Sequence, residues 1–148
     1  MVLFVPNIAN SQVIFSSRVA ETLARAGHDV TMVMISALDG AESKFVKIME
    51  EVKVHYVNAS VGLDRKEFLA EQEEFMFQDL PMWDRRVRES MNRMFSLFIG
   101  SCRKVLENKE FHDWLAGEKF DLAFSYVFNL CPIGLIYRAK IPAWIWLN

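Results

Sequence analysis

Residues 1–35 constrain the fold more than any other stretch, because they carry the pattern of one strand–helix–strand unit. Residues 2–5 (VLFV) form a short apolar run ended by Pro6, which is typical of a strand buried on both faces of a parallel sheet. Residues 13–26 place apolar side chains at helical spacing, and Gly27 stands where a left-handed residue would end that helix. A β-branched run then follows. The pattern predicts one right-handed βαβ unit.

The loop that follows the first strand is polar and contains the sequence NIANSQ, residues 7–12. We expect Asn10 or Ser11 to cap the helix that follows. Because open α/β sheets bind ligands at the carboxyl ends of their strands, this loop is expected to belong to any functional site. It contains no glycine, so it lacks both dinucleotide-binding and Walker A phosphate loops.

Strands and helices alternate along the rest of the chain. Asp64 followed by Glu67 resembles a capping box, Asn108 can cap a short helix, and Pro132 suits the first turn of another. Together with the first unit, the patterns predict strands at 52–57, 120–128 and 143–147 and helices at 43–50, 64–77, 87–106, 109–117 and 131–139. This alternation predicts an α/β fold with a parallel Rossmann-like sheet flanked by helices.

The longest periodic segment covers residues 87–106, with its apolar side chains on one helical face. Gly100 lies inside this segment, where glycine costs about 1 kcal/mol relative to alanine, so we expect a neighbour to pack closely against it. We interpret this stripe of apolar side chains as part of the hydrophobic core. The alternative is that the side chains at its exposed end line an apolar ligand pocket. Its members are Val87, Met91, Met94, Phe95, Phe98, Cys102, Val105 and Leu106.

The composition limits the function classes. The chain is 52% hydrophobic, which predicts a large apolar groove or a surface that meets another domain. Its net charge of −2 does not favour nucleic-acid binding.

Cys102 and Cys131 have no metal-binding spacing and are interpreted as two buried thiols, with a disulfide as the alternative. No metal-hydrolase or serine-hydrolase motif occurs, and we expect neither a metal nor a cofactor.

Membrane and secretion signals are not evident in the sequence. The longest apolar stretch, residues 124–137, is interrupted by Asn129, Pro132 and Gly134, and the first ten residues lack the charged segment of a signal peptide. The chain begins inside its first predicted strand and ends directly after another, so we expect it to be a fragment.

Three segments in order resemble one known family. They are LFVP with the polar loop and SSRVAETLARAGHDVT, then KFVKIMEEVKVHYVNAS, and finally KFDLAFSYVFNLCPIGLIYRAKIPAWIWLN. The chain resembles the UDP-glucuronosyltransferases, within the UDP-dependent glycosyltransferases of the GT-B fold, and looks closest to the invertebrate branch. The resemblance covers essentially residues 1–148, which would form a single, partial N-terminal acceptor-binding domain.

The resemblance implies transfer of a hexosyl or glucuronosyl group from a UDP-sugar to a small lipophilic acceptor, as in detoxification. The UDP-sugar would bind a C-terminal half that this chain lacks. The family also implies the lumenal side of the endoplasmic reticulum membrane, with oligomers possible. An alternative of another class is a non-catalytic, truncated pseudo-transferase that binds lipophilic small molecules or pairs with a full-length relative. A weaker alternative is an unrelated flavodoxin-like domain.

The catalytic positions of the family fall on unusual residues. Its general-base histidine corresponds to Gln12, and the acidic residue that orients this histidine corresponds to Tyr126. Glutamine is not a base, and tyrosine with a pKa near 10 does not replace a carboxylate. Three explanations follow: an acceptor that needs no base, a base from the missing half, or binding without turnover.

Acceptor-binding residues are also expected from strand-end geometry and the resemblance. Asn10 and Phe15 should border the acceptor beside Gln12, with Tyr126 and Phe128 facing them from the fourth strand. Met94 and Phe98 should line the apolar side.

Overall fold

The computed structural model describes residues 1–40, 46–127 and 129–147. They form one parallel five-stranded sheet with helices packed around it, which confirms the predicted α/β class. The elements are β1 (Val2–Pro6), α1 (Asn10–Arg25), β2 (Thr31–Ser36), β3 (Lys53–Asn58), α2 (Arg65–Met76), α3 (Arg85–Glu107), α4 (Lys109–Gly117), β4 (Leu122–Tyr126), α5 (Cys131–Arg138) and β5 (Ala143–Leu147).

The strand order is β3-β2-β1-β4-β5, so β1 lies at the centre of the sheet. The chain moves outward from β1 through β2 to β3, and then returns to add β4 on the other side of β1. Val2 therefore pairs with Thr31 on one side and with Ala123 on the other. The order reverses between β1 and β4, and their carboxyl ends open the crevice where such sheets bind ligands.

Two hydrophobic layers sandwich the sheet, and alternate residues of β1 supply both. Leu3 and Val5 pack on the face covered by α1, whereas Val2 and Phe4 pack on the face covered by α4 and α5. All five residues of β1 are buried, as the apolar run predicts.

Helix α1 begins earlier than predicted and without the expected cap. Its N-cap is Ala9, which makes no side-chain capping bond, and Asn10 is already helical. The prediction that Asn10 or Ser11 caps this helix is therefore wrong. Asn10 instead accepts a hydrogen bond from Arg65, 55 residues away, so a tertiary contact replaces the local one. The positive φ of 89° at Gly27 confirms the predicted end of the helix.

The prediction of a helix at 43–50 is also wrong where it can be tested. Residues 41–45 lie outside the described residues, and residues 46–50 are not helical. Val46 and Ile48 both pack against the core on the α1 side. Residues two apart share a face in an extended segment but not in a helix, so burial favours an extended chain here.

Helix α3 leaves three of the eight side chains of the predicted apolar stripe exposed, so the interpretation of the whole stripe as core is only partly correct. Its buried residues are Val87, Leu97, Ser101 and Val105. Leu97 packs against Ala37, Leu38 and Phe68, so the segment after β2 and helix α2 cover only one side of α3. The other side keeps large apolar groups accessible, with exposed fractions of 37% at Met91, 56% at Phe95, 64% at Ile99 and 46% at Leu106.

Cys102 and Cys131 form a disulfide, so the interpretation as two buried thiols is wrong. Their Cα atoms lie 5.6 Å apart, which is within the range that a disulfide bridges. The bond joins the carboxyl-terminal part of α3 to the first residue of α5. Sequence spacing could not show this, because the chain between the two cysteines makes α4 and β4 before it returns.

The remaining predicted elements are present, with ends that differ from the predicted ones by at most two residues. Asp64 and Asn108 accept backbone hydrogen bonds at the starts of α2 and α4, and Pro132 lies in the first turn of α5. The strand predicted at 120–128 is shorter, because β4 covers only Leu122–Tyr126.

The close approach expected at Gly100 is confirmed. A Cβ atom built on Gly100 would lie 2.9 Å from Cγ1 of Val61. We expect Gly100→Ala to lower the free energy of unfolding by about 1–2 kcal/mol, the usual cost of overpacking, despite its better helix propensity. Urea unfolding measures this change.

Val61→Ala provides the control for Gly100→Ala. In a Val61→Ala background the clash is relieved, and the same glycine substitution should then stabilise the chain by about 1 kcal/mol. If Gly100→Ala changes the free energy of unfolding equally in both backgrounds, the contact with Val61 does not determine the cost of a side chain at position 100.

Candidate functional site

The crevice between the carboxyl ends of β1 and β4 brings together three parts of the chain. The loop after β1 leads into the first turn of α1, and the loop after β4 leads into α5. The carboxyl-terminal half of α3 lines the same pocket and is joined to α5 by the disulfide between Cys102 and Cys131. The three parts surround a pocket at this edge.

This pocket is narrow and mainly apolar. Its volume is about 300 Å³ when the part open to solvent is counted. The centre of a water-sized sphere can move within only about 10 Å³ of this space, which is room for about one water molecule. An organic ligand must therefore bind across its mouth or widen it. The lining residues are Pro6, Ile8, Ile35, Ala37, Phe98, Ser101, Cys102, Val105, Asn129 and Cys131.

The structure separates the two α3 residues predicted for the apolar side. Phe98 lines the pocket. Met94 lies one helical turn earlier, is half-buried, and is not among the lining residues. The exposed apolar face of α3, formed by Met91, Phe95 and Ile99, extends the apolar surface outside the pocket.

Gln12 lies in the first turns of α1, at the edge where the sequence analysis expected it. Its side chain is half-buried, and within the described part of the chain its Oε1 atom is buried with no hydrogen-bond partner. A buried amide oxygen without a partner is costly, and a ligand O–H or N–H could satisfy it. Phe15, one turn later, is 44% exposed.

Tyr126 ends β4 on the same side of the sheet as α1. Phe124 packs on the α1 side, and residues two apart along a strand share a face. The structure therefore places Gln12 and Tyr126 on one side of the sheet and at one edge. Phe128 lies outside the described residues, so its predicted role stays a prediction.

Sequence reasoning placed Asn7 only in the polar loop of residues 7–12 and missed Arg65 entirely. Asn7 is fully buried, and its side-chain amide donates to Ser36 Oγ at 3.3 Å. Arg65, the first residue of α2, is buried and donates from Nη2 to Asn10 Oδ1 at 2.8 Å. No local sequence signal marks Arg65, because its partner is distant in sequence.

None of the three histidines of the chain lines this pocket. His28 follows the carboxyl end of α1, and His112 bonds through its ring to the Leu106 carbonyl. His55 lies in β3 and stacks on Trp114, with ring centroids 3.7 Å apart. Burial lowers the pKa of His55, although the negative charges of Glu118 and Glu110 oppose this shift.

Within residues 1–40, 46–127 and 129–147, no group of three His, Cys, Asp or Glu side chains could hold a metal ion. In those same ranges, no helix combines the length and the apolar character needed to cross a bilayer.

Comparisons with a family model and with individual proteins both point to one family of transferases. A family model described as "UDP-glucoronosyl and UDP-glucosyl transferase" matches residues 1–148. The putative UDP-glucuronosyltransferase ugt-60 of Caenorhabditis elegans is 26% identical over 97% of this chain and 28% of its own length. UDP-glucuronosyltransferase 3A1 of Homo sapiens is 24% identical over 95% of this chain and 26% of its own length. The chain thus spans about a quarter of these relatives.

Proposed function

Because the chain belongs to the UDP-glucuronosyl and UDP-glucosyl transferase family, we propose that it is the acceptor-binding part of a glycosyltransferase. The complete enzyme would transfer a hexosyl or glucuronosyl group from a UDP-sugar to a small lipophilic acceptor. The acceptor would bind at the carboxyl edge of β1 and β4, with its reacting group near Gln12 and Tyr126.

The observation that carries this proposal is the apolar surface beside the crevice. Phe98 lines the pocket, and Phe95 and Ile99 on the same helix remain largely exposed. A helix usually buries such side chains, so their exposure next to a strand-end crevice favours an apolar ligand or partner. The orphaned Oε1 atom of Gln12 adds a polar group that could orient the ligand.

The disulfide supports the cellular location that the resemblance implies. Disulfides form and persist in oxidising compartments, among them the lumen of the endoplasmic reticulum. The Cys102–Cys131 bond therefore favours a lumenal position for this part of the protein. Membrane attachment and a role in detoxification would be properties of the complete protein.

A binding titration tests the acceptor site on this chain directly. We expect naphthol, a neutral lipophilic alcohol, to bind, and Phe98→Ala to weaken its binding by tenfold or more, the loss typical of removing a buried aromatic anchor. Isothermal calorimetry or the chemical shifts of α3 residues would measure it.

Phe77→Ala is the matched control, because Phe77 lies at the end of α2 with 83% of its surface exposed. It should leave the affinity for naphthol unchanged. Failure of naphthol to bind, or equal losses in both variants, would contradict the proposed acceptor site.

A further inference from the structure

Asn58, Ala59 and Ser60 match the acceptor pattern for N-linked oligosaccharides. In this pattern any residue except proline separates the asparagine from a serine or a threonine. It occurs once in the chain. Because so short a pattern also arises by chance, its place in the fold decides whether it can carry a glycan.

The side chain of Asn58 is available for modification. Asn58 is the last residue of β3 and is exposed to solvent. Its Oδ1 atom accepts a hydrogen bond from the backbone N–H of Ser60 at 3.1 Å, which identifies the oxygen of the amide. Within the described ranges, the amide nitrogen Nδ2 donates no hydrogen bond. The atom that would carry a sugar is therefore not engaged by the fold.

The position of β3 leaves room for a bulky group. Among the described residues, β3 pairs only with β2 and forms one edge of the sheet. A glycan at its end therefore displaces no neighbouring strand. The open backbone edge of a strand can pair with another chain, and a bulky, hydrated group beside that edge hinders such pairing.

Tyr56 adds an aromatic surface next to Asn58. The two residues are two positions apart in β3, so their side chains share a face and begin about 6.6 Å apart along the strand. Tyr56 keeps 61% of its surface exposed. A sugar ring presents C–H groups on its faces, and an aromatic ring can bury them. The first sugar on Asn58 would lie within reach of this ring.

The disulfide is an independent argument that the chain reaches the compartment of N-glycosylation. The Cys102–Cys131 bond favours the oxidising lumen of the endoplasmic reticulum, where oligosaccharides are transferred to asparagine. Transfer acts on the chain as it enters the lumen, so the burial of Ser60 in the folded structure does not prevent it. The exposed position of Asn58 then accommodates the glycan after folding.

We propose that Asn58 carries an N-linked oligosaccharide and that its first sugar packs against Tyr56. In the transfer, Nδ2 of Asn58 attacks the anomeric carbon of an oligosaccharide held on a lipid diphosphate. A C–N bond forms, the bond from that carbon to the diphosphate breaks with its electron pair leaving on the phosphate, and one proton passes from Nδ2 to solvent. The inference rests on the lumenal location in the proposed function and is independent of the acceptor site.

Translation with microsomes tests the modification. The chain is preceded by a cleavable signal sequence, and only chains protected from added protease are scored. We expect one step of slower migration on a denaturing gel, which peptide N-glycosidase removes, leaving aspartate at position 58 for mass spectrometry to detect. Asn58→Gln and Ser60→Ala should each abolish the step, and Ser60→Thr should retain it. Asn92→Gln, at an exposed asparagine outside the pattern, should leave it unchanged.

Thermal unfolding tests the contact with Tyr56. The glycosylated chain should melt about 2–4 °C higher than the same chain after release of the glycan, the shift expected of one such contact at this chain length. Tyr56→Ala should remove this difference. Tyr137→Ala is the matched control, because Tyr137 on α5 is 87% exposed and distant in sequence from Asn58. It should leave the difference intact.

The outcomes separate this inference from the proposed function. A protease-protected chain that stays unmodified at Asn58 would overturn the inference, whatever its affinity for naphthol. A glycan whose release leaves the melting temperature unchanged, or lowers it equally in Tyr56→Ala, would overturn the contact with Tyr56. Failure of naphthol to bind a chain that is glycosylated at Asn58 would contradict the acceptor site and support only the modification.

Discussion

Reduction of the Cys102–Cys131 disulfide is expected to lower the free energy of unfolding of this chain by about 3.5 kcal/mol. The two cysteines are 29 residues apart, and the bond removes the conformational entropy of the loop between them from the unfolded chain. For a chain of 148 residues, this loss should lower the melting temperature by about 10 °C. Urea unfolding and calorimetry, with and without a reducing agent, measure the two quantities.

The double variant Cys102→Ala/Cys131→Ala is the control for reduction. It should match the stability of the reduced chain and should not respond to the reducing agent. A functional consequence is also expected, because both cysteines line the pocket and join α3 to α5. Naphthol binding should weaken when the bond is broken. If the oxidised and reduced chains unfold at the same urea concentration, the disulfide does not stabilise this fold.

Gln12→His is expected to raise the turnover of hydroxyl acceptors by at least a hundredfold. A positioned general base contributes about 10²–10⁴ to a rate, and glutamine supplies none. The assay requires the UDP-sugar-binding half, so the substitution is made in this chain joined in frame to that half of a curated relative. Adding Tyr126→Asp should raise the rate further, because a carboxylate would orient the imidazole and increase its basicity.

Three observations distinguish a new base from a general structural effect. The rate with naphthol should rise with pH through the imidazole pKa, near 6.5 for an unperturbed histidine. Gln12→Asn, which introduces no base, should not raise the rate. An acceptor that is already ionised, such as naphthaleneacetate, should gain nothing from Gln12→His. An unchanged rate with naphthol in Gln12→His/Tyr126→Asp would show that position 12 does not lie at the reacting hydroxyl.

Two arguments from the sequence predicted residues of the candidate site. The rule that parallel sheets bind ligands at the carboxyl ends of their strands selected the loop before Gln12, and the family resemblance selected Tyr126. The structure places both on one side of the sheet at that edge, with Phe98 in the adjoining pocket. Whether these three residues act on an acceptor stays a prediction that the binding and turnover experiments address.

Sequence by itself determined the elements whose causes are local. Pro6 ends an apolar strand, Gly27 supplies the positive φ that closes α1, and Asp64 and Asn108 cap the helices that follow them. Each of these effects acts within a few residues through backbone sterics or one side-chain hydrogen bond, so the pattern alone is sufficient.

Tertiary structure decided the features that depend on distant segments. The side that α3 buries depends on where Ala37, Leu38 and Phe68 lie, and its broad apolar stripe could not select one half over the other. The disulfide and the contact between Arg65 and Asn10 join residues 29 and 55 positions apart. Such contacts form only when the whole sheet brings their elements together. The hydrophobic effect is non-directional, and a helical or strand period shows which side chains share a face but not which element packs against that face.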